Sequence, residues 1–452
     1  MIARLTTCLV ACAAMVLAPL GAQAAPASKG NVPVVRDAEI EGLVKDYTVP
    51  ILKAAGLSRS GIEIVLVNSP EFNAFVSGRR IFVNTGTILG SDTPNELIGV
   101  LAHEVGHLAG GHQQRLREQL ETARRIALIA GILGATAAVG GAVAGESGIA
   151  RAGSGIMAGG GTVAARGLMS YQRSEEITAD RSALVYLEKS KQSAKGLIQS
   201  FEGLERQNLL AGVSPNRYIS SHPAPRDRIA RLETVARQSP YFDKVDDPAL
   251  QLRHDLARAK IAAYTASTTT LRQLFAKDPR GLAATYGDAI AAHLAGSPAV
   301  ALKKIDALIA QSPKTPWFHE IRGEILMEAG RSKEAAEAFS RAAKLDPTGS
   351  GLISASVGQA LVTSGDPKQM KTAIQLIRKG LAADPSNSTA YRFLAMAYDQ
   401  TGDVASAELA TAEGYWRSGA IRDARLFAAR AQLKLKPGSP QWIQAQDIIS
   451  SK

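Results

Sequence analysis

The chain has 452 residues, which is too long for one ordinary core and favours two or three domains. With 46% apolar and 21% charged residues, its composition excludes a disordered polypeptide. The net charge of +11 favours solubility and would also allow attraction to anionic lipid head groups or acidic clients. No block of like charges or pattern of basic and aromatic residues indicates nucleic acid as a ligand.

Residues 1–24 have the layout of a secretory signal peptide. A single charge, Arg4, precedes an apolar run, and a small-x-small tripeptide predicts cleavage after Ala24. The run is short for a membrane span, and the apolar stretch that follows Cys12 disfavours a lipid anchor there. Because Cys8 and Cys12 both lie in this segment, the exported chain would have neither a disulfide nor a thiolate metal ligand.

The next part of the chain mixes helices and strands. Apolar residues at helical spacing predict a helix over residues 36–59, and the β-rich residues 62–67 predict a strand. Residues 72–85, FNAFVSGRRIFVNT, predict two strands joined at residues 77–79. One helix is predicted over residues 94–120.

Residues 100–112, VLAHEVGHLAGGH, hold three of the chain's seven histidines. On a helix, residues four apart lie on one face, so His103 and His107 can reach the same metal ion. Glu104 projects beside them and is placed to take a proton from water. The apolar helical frame argues against histidines that are merely exposed, so we predict a zinc site.

The third metal ligand is not in this segment. Catalytic zinc usually takes three protein ligands and keeps one position for water. The longer motif H-E-x-x-H-x-x-G-x-x-H requires a histidine at position 113, but that residue is Gln113. His112 comes one residue early, and we predict that it does not bind the metal.

Two weakly apolar stretches follow. Residues 126–144 are 19 positions without a charge, and residues 152–165 form a second uncharged stretch rich in glycine. At about 1.5 Å per residue, the first could just cross a bilayer core. Because glycine and alanine dominate it, we favour a mobile cover over the active site, one that could contact a membrane surface, over a membrane span.

Residues 171–188 and 194–207 predict two amphipathic helices. Glu176 and Asp180 are four apart and share a face of the first. Either could bind the metal while the other orients a ligand histidine. An ordinary solvated acidic face is the alternative, and the lack of another third ligand disfavours it.

From about residue 250 onwards, alanine-rich helices recur. Glycines follow one another at intervals of 34, 35 and 37 residues, each is followed by an alanine in the next helix, and prolines close three units. This is the tetratricopeptide (TPR) pattern, in which small residues let paired helices pack closely. A generic helical bundle is the alternative. The residues are Gly296, Gly330, Gly365, Gly402, Ala301, Ala335, Ala373, Ala407, Pro313, Pro347 and Pro385.

In combination, these motifs resemble the HtpX and CAAX-prenyl-protease family of zinc metallopeptidases. His112 follows the H-E-x-x-H motif by five residues, and E-x-x-A-D begins at Glu176. Further similarities are Asn73-Ala74-Phe75, IFVNTG from Ile81, and SHPAPRDRI ending at Ile229. The resemblance covers about residues 40–235 and implies an α+β zincin-type (gluzincin) domain that is mostly helical.

The resemblance implies one zinc ion per chain, bound by His103, His107 and Glu176. Glu104 would accept a proton from the zinc-bound water and return it to the leaving amine, while Asp180 supports the site.

In this mechanism the strand around residues 81–84 would hold the substrate as an added β-strand, with affinity from backbone bonds and little sequence preference. The residues implied for that strand are Asn73, Ile81, Phe82, Val83 and Asn84.

His222 matches a histidine that lies near the metal in this family. It could fill the open coordination position as a gate, or donate a hydrogen bond to the oxyanion. From the residues alone, it would cap a loop before a helix over residues 225–236. We favour the gate.

With the signal peptide and the repeats, the arrangement is similar to periplasmic β-barrel assembly-enhancing proteases. We therefore expect a peptidase domain over residues 25–249, with a mobile segment at 126–167, and an all-α TPR-like solenoid over 250–452. The implied function is a zinc endopeptidase that degrades misassembled outer-membrane proteins and assists their assembly. The repeats would recruit clients or the assembly machinery. A TPR scaffold or chaperone with a latent site, and a membrane-embedded processing protease, are the alternatives.

Overall fold

The computed structural model describes residues 33–58, 61–143, 169–211, 218, 222 and 226–451. The predicted signal peptide and the stretch at 152–165 lie outside these residues. Helix His112–Val143 covers most of the uncharged stretch at 126–144. Among the described residues, no helix is both long and apolar enough to span a bilayer.

A four-stranded sheet lies beside the helices of the first half. Its strands are β1 (Val34–Val35), β2 (Glu63–Val67), β3 (Ala74–Ser77) and β4 (Arg80–Asn84), in the order β1-β2-β4-β3. Strand β4 pairs in parallel with β2 and antiparallel with β3. The strand at 62–67 and the hairpin within 72–85 are therefore confirmed, with its turn at Gly78, whose φ is +62°.

Within the described residues, seven helices belong to the same half of the chain as this sheet. The first, predicted over 36–59, spans Ala38–Ala54 and is confirmed with shorter ends. The helices predicted over 171–188 and 194–207 are also present. In chain order the helices are Ala38–Ala54, Thr85–Gly90, Pro94–Gly110, His112–Val143, 169–189, Lys195–Ala211 and Arg226–Ala236.

The single helix predicted over residues 94–120 is wrong. The structure has two helices there, Pro94–Gly110 and His112–Val143, with a break at Gly111. Gly111 has a φ of +65°, a left-handed conformation that ends helices and that glycine adopts without steric cost. The periodicity of apolar residues continued across the break and concealed it.

Glycines bring the helix Pro94–Gly110, called the motif helix below, close to its neighbour Lys195–Ala211. A Cβ at Gly99 would lie 2.6 Å from the backbone nitrogen of Leu197. At the start of the contact, the Asn95 side chain accepts a hydrogen bond from Gly196 N at 2.7 Å and donates one to Ser193 O at 2.8 Å. These contacts bury the motif helix in the first hydrophobic core.

The second half is entirely helical, as the repeats predict. Each of the four recurring glycines has a positive φ of between 67° and 79°, so each marks a turn that only glycine adopts readily. The alanines that follow pack at close helix contacts; Ala301, Ala335 and Ala373 are fully buried. The helices are Pro248–Thr265, Thr268–Leu274, Leu282–Leu294, Pro298–Gln311, Pro316–Glu328, Ser332–Leu345, Gly351–Ser364, Met370–Ala383, Ser388–Gln400, Val404–Arg417, Ile421–Gln432 and Pro440–Ser450.

Candidate metal centre

The motif helix presents two histidines to one point. His103 and His107 lie one turn apart, and their Nε2 atoms are 3.0 Å from each other. His103 is completely buried, and His107 is nearly so. Thr93 caps this helix by accepting a hydrogen bond from Glu96 N, and Pro94 occupies its first turn, so the local sequence determines where the helix begins.

Glu176 reaches the same point from the helix 169–189, called the carboxylate helix below. Its Oε2 lies 3.3 Å from His103 Nε2, and its Oε1 lies 3.2 Å from His107 Nε2. Gly106 permits this approach, because a Cβ there would lie 2.7 Å from the carbonyl oxygen of Ala179. The glycine between the two histidines therefore lets the two helices touch.

The spacing of these atoms fits a zinc ion. Ligand atoms arranged tetrahedrally about 2.0–2.1 Å from zinc would be about 3.3 Å apart. The observed separations among His103 Nε2, His107 Nε2 and the Glu176 oxygens are 3.0–3.3 Å. Two imidazoles and one carboxylate are also the donor set that zinc peptidase sites use.

Asp180 holds the other side of His103. Its Oδ1 lies 3.0 Å from His103 Nδ1. This contact directs the His103 Nε2 lone pair at the point where His103, His107 and Glu176 converge, called the metal point below. Arg228 donates two hydrogen bonds to Asp180, at 2.6 and 2.8 Å, and lies 3.1 Å from Glu176 Oε2. Arg228 lies in the segment SHPAPRDRI, but the sequence did not predict its role.

His112 contacts His107 at Nδ1, as Asp180 contacts His103. The two Nδ1 atoms are 2.9 Å apart, and His112 Nε2 lies 2.8 Å from Glu175 Oε2. If His107 donates from Nδ1 to His112 Nδ1, the His107 Nε2 lone pair faces the metal point. His112 thus lies outside the group that converges on the metal point but in contact with one of its members. The motif spacing alone could not reveal this contact.

Glu104 lies beside the metal point and is almost completely buried. Burial raises the pKa of its carboxyl group, against the lowering effect of the nearby histidines. Tyr218 donates a hydrogen bond to Glu104 Oε1 at 3.3 Å, and its ring packs against Phe201 and Phe72. Tyr218 has no recognisable spacing to the motif, so the sequence did not predict it.

His222 lies within the cluster itself. Its Nδ1 is 3.0 Å from Glu176 Oε1 and 3.3 Å from His103 Nε2, and its Nε2 is 3.7 Å from Glu104 Oε1. One ligand atom from each of His103, His107, Glu176 and His222 lies within 4.8 Å of every other. His222 therefore stands where a fourth ligand would stand.

Burial and hydrogen bonding shift the pKa values of the clustered side chains in different directions. Burial alone would lower the pKa of His103, but hydrogen bonds with Asp180 and Glu176 raise it to about 9. Burial lowers the pKa of His107 to about 3. Glu176 is buried too, yet hydrogen bonds from His103, His107 and His222 hold its pKa well below its usual range. His103 must therefore lose a proton before its Nε2 can bind a metal ion.

The expectation that substrate adds to the strand at residues 81–84 is wrong in its placement. Ile81, Phe82, Val83 and Asn84 belong to β4, which is paired with β2 on one side and β3 on the other. A strand with both edges paired cannot accept another strand. Among the described residues, the sheet edge on this side is β3, which follows Asn73 directly.

Two known protein families match separate parts of this chain. Residues 36–236 match Peptidase family M48, and residues 309–417 match the cytochrome c-type biogenesis protein H TPR domain. The Beta-barrel assembly-enhancing protease of Escherichia coli (strain K12) is 22% identical over 425 residues, covering 91% of this chain and 83% of that protein. The protein of the same name from Yersinia pestis is 25% identical over 420 residues, with the same coverage. The crystal structure of MamA matches with a TM-score of 0.29 and 18% identity, over 36% of this chain and 90% of that one.

Proposed function

We propose that this metalloprotease, whose residues 36–236 belong to peptidase family M48, is a periplasmic zinc endopeptidase that cleaves misassembled outer-membrane proteins and assists their assembly. The curated relatives, which are β-barrel assembly-enhancing proteases, support this class of client. The layout of residues 1–24 as a signal peptide supports export.

His103, His107 and Glu176 would bind one zinc ion. Asp180 orients His103, and Arg228 holds Asp180 in place through two hydrogen bonds. When bound, zinc supplies Lewis acidity, which polarises a peptide carbonyl and makes water a better nucleophile at neutral pH.

Glu104 would move the proton. A buried carboxylate with a raised pKa accepts a proton from the attacking water more readily than an exposed one and can return it to the leaving amine. Tyr218 holds the Glu104 carboxylate through its hydroxyl. The observation that carries the proposal is this convergence of a buried carboxylate and three donor groups on one point.

A Glu104→Gln variant tests the assignment. Because no ligand is removed, we expect the variant to fold and to bind zinc as the wild type does, but to lose cleavage of an unfolded β-barrel client by at least 100-fold. Zinc content and proteolysis are measured on the same purified samples, with Glu118→Gln as the control for an exposed glutamate. Full turnover by a zinc-loaded Glu104→Gln enzyme would refute the role of Glu104.

A latent state is the second function that a specific contact favours. His222 contacts His103 and Glu176 at the position of a fourth ligand, so it would exclude water and substrate while it remains there. In that state the chain would act as a scaffold or chaperone through its repeats. We propose that His222 gates the protease.

The repeats would supply the client or partner contact. TPR helices present grooves to peptides and proteins, and the match over residues 309–417 supports this role. We propose residues 25–249 as the peptidase domain and residues 250–452 as the recruiting domain. Strand β3, with Asn73, would pair with the substrate in place of β4.

A further inference from the structure

The outer side of strand β3 has a defined set of hydrogen-bonding groups. Asn84 N donates to Asn73 O at 3.0 Å, and the register pairs Ala74 with Val83 and Val76 with Ile81. In an antiparallel ladder the bonding direction alternates from residue to residue. The backbone groups of Ala74 and Val76 therefore point away from β4, towards the side where another strand would add.

The side chain of Gln113 already occupies one end of this edge. Its Nε2 donates to Val76 O at 2.7 Å, and its Oε1 accepts from Gly78 N at 2.9 Å. A carboxamide offers one carbonyl and N–H donors in a plane, as a peptide unit does. Gln113 thus pairs with the edge as one residue of an added strand would.

The helix break aims Gln113 at this position. Gly111 ends the motif helix, and the following helix starts at His112, which is buried against His107. Gln113 is the next residue, so the contact that holds His112 also holds its neighbour. The inner end of the edge lies at Ala74, beside Phe72, whose ring contacts Tyr218 and through it Glu104. The edge therefore has one end near Glu104 and the other end at Gln113.

We propose that Gln113 is a specificity-determining residue that ends the pairing of a peptide substrate with β3, and so limits how many substrate residues the enzyme binds through their backbone. The proposal rests on the proposed peptidase function. Substrate residues that extend past Val76 would meet the carboxamide of Gln113 and gain no further backbone bonds.

A series of unfolded peptides around one cleavage site, lengthened separately at each end, tests this proposal. For the wild type, KM should stop falling once the peptide reaches the position of Val76. For Gln113→Ala, extension at one end only should lower KM by roughly three- to tenfold, the effect of one or two net hydrogen bonds, with kcat unchanged. Gln114→Ala is the matched control, since Gln114 is exposed and donates its side-chain hydrogen bond to the exposed Glu118.

The outcomes separate the two proposals. If wild-type enzyme with full zinc cleaves none of the peptides, the peptidase function fails and the inference with it. If short peptides are cleaved normally and Gln113→Ala shifts KM equally for every length, Gln113 only braces the hairpin, and the inference alone is overturned.

Discussion

Each of the two histidines that we propose as metal ligands has its own partner at Nδ1. For His103 the partner is a carboxylate, Asp180, which Arg228 holds by two hydrogen bonds. For His107 the partner is another histidine, His112, which faces Glu175. Gly110 leaves room for His112, since a Cβ at that position would overlap its ring. We therefore propose that His112 positions His107, and we expect its loss to lower metal affinity less than the loss of a ligand.

Substitutions of Glu176 and His112 should have different effects on the affinity for zinc. We expect Glu176→Gln to lose most of its zinc, because the substitution removes a proposed ligand oxygen. We expect His112→Ala to lower the affinity for zinc about tenfold and still to bind one ion at micromolar protein concentration. Competition with a chelator measures both. His319→Ala is the control, because His319 is remote from the cluster and its side chain hydrogen-bonds to Pro313 O. Loss of zinc in His112→Ala with full retention in Glu176→Gln would reverse the two roles.

Removal of His222 should increase proteolysis. If the latent state, with His222 at the position of a fourth ligand, holds about nine-tenths of the molecules, His222→Ala should raise client cleavage or self-cleavage about tenfold. Cleavage rates are compared at equal zinc content. A decrease instead would mean that His222 stabilises the transition state, and unchanged activity and zinc affinity would return it to a capping role before helix Arg226–Ala236.

At the scale of elements, the helix break at Gly111 determines where the side chains of His112 and Gln113 lie. An alanine there meets no neighbouring atom within 4 Å, so its cost is only that of a left-handed backbone. We expect Gly111→Ala to lower the free energy of unfolding by about 1–2 kcal/mol.

Gly203→Ala is the matched comparison for this prediction. Gly203 lies within helix Lys195–Ala211, and its Cβ would approach only Arg206 Nη2, at 3.8 Å. Alanine should therefore stabilise the protein there by about 0.5–1 kcal/mol. Urea denaturation measures both variants, and equal effects of the same sign would show that the backbone at Gly111 is not strained by a side chain.

At the scale of the whole molecule, one helix joins the two halves. Ala257 and Ile261 of helix Pro248–Thr265 belong to the core of the first half, while Ala259 and Ala262 belong to that of the second. Lys260 on the same helix is buried and contacts Asp37 at 2.7 Å, Glu320 at 3.2 Å and Glu39 at 3.5 Å. The predicted domain boundary at residue 249 therefore adjoins a helix that packs on both sides.

This cluster has more carboxylates than cations, which makes stability depend on pH. Burial raises the pKa of Glu39 to about 7 and that of Glu320 to about 8, from an ordinary value of 4.5. The folded protein then binds more protons than the unfolded chain between about pH 4.5 and 8. The stability that these protons provide is fully present below pH 4.5 and is lost as the pH rises through 7 to 8.

Glu320→Gln should flatten that dependence. The amide resembles the protonated acid, and Lys260 keeps Asp37 as its nearest partner. We expect a gain on the order of 2 kcal/mol at pH 8 relative to wild type, and little change at pH 5. Denaturation midpoints across this range measure it, with the exposed Glu337→Gln as control. A gain that is equal at both pH values would show that Glu320 does not titrate with folding.

The sequence by itself determined the features that depend on local spacing. The pair His103 and His107 follows from a four-residue interval on a helix, and the turns of the repeats follow from glycines that recur near every 35 residues. The hairpin, the zincin-type fold with its TPR region, and the relationship to M48 metalloproteases are likewise confirmed. Each of these patterns is visible within a short window, because backbone geometry repeats with a fixed period.

Only the tertiary structure decided which distant groups meet. The residues left Glu176 and Asp180 interchangeable, and the packing of the carboxylate helix at Gly106 places Glu176 at the histidine Nε2 atoms and Asp180 behind His103. The strand order makes β3, and not β4, the edge of the sheet. The left-handed conformation of Gly111 places His112 against His107 and Gln113 against β3. These outcomes depend on which faces of separate elements pack together, and no local period of the sequence encodes that choice.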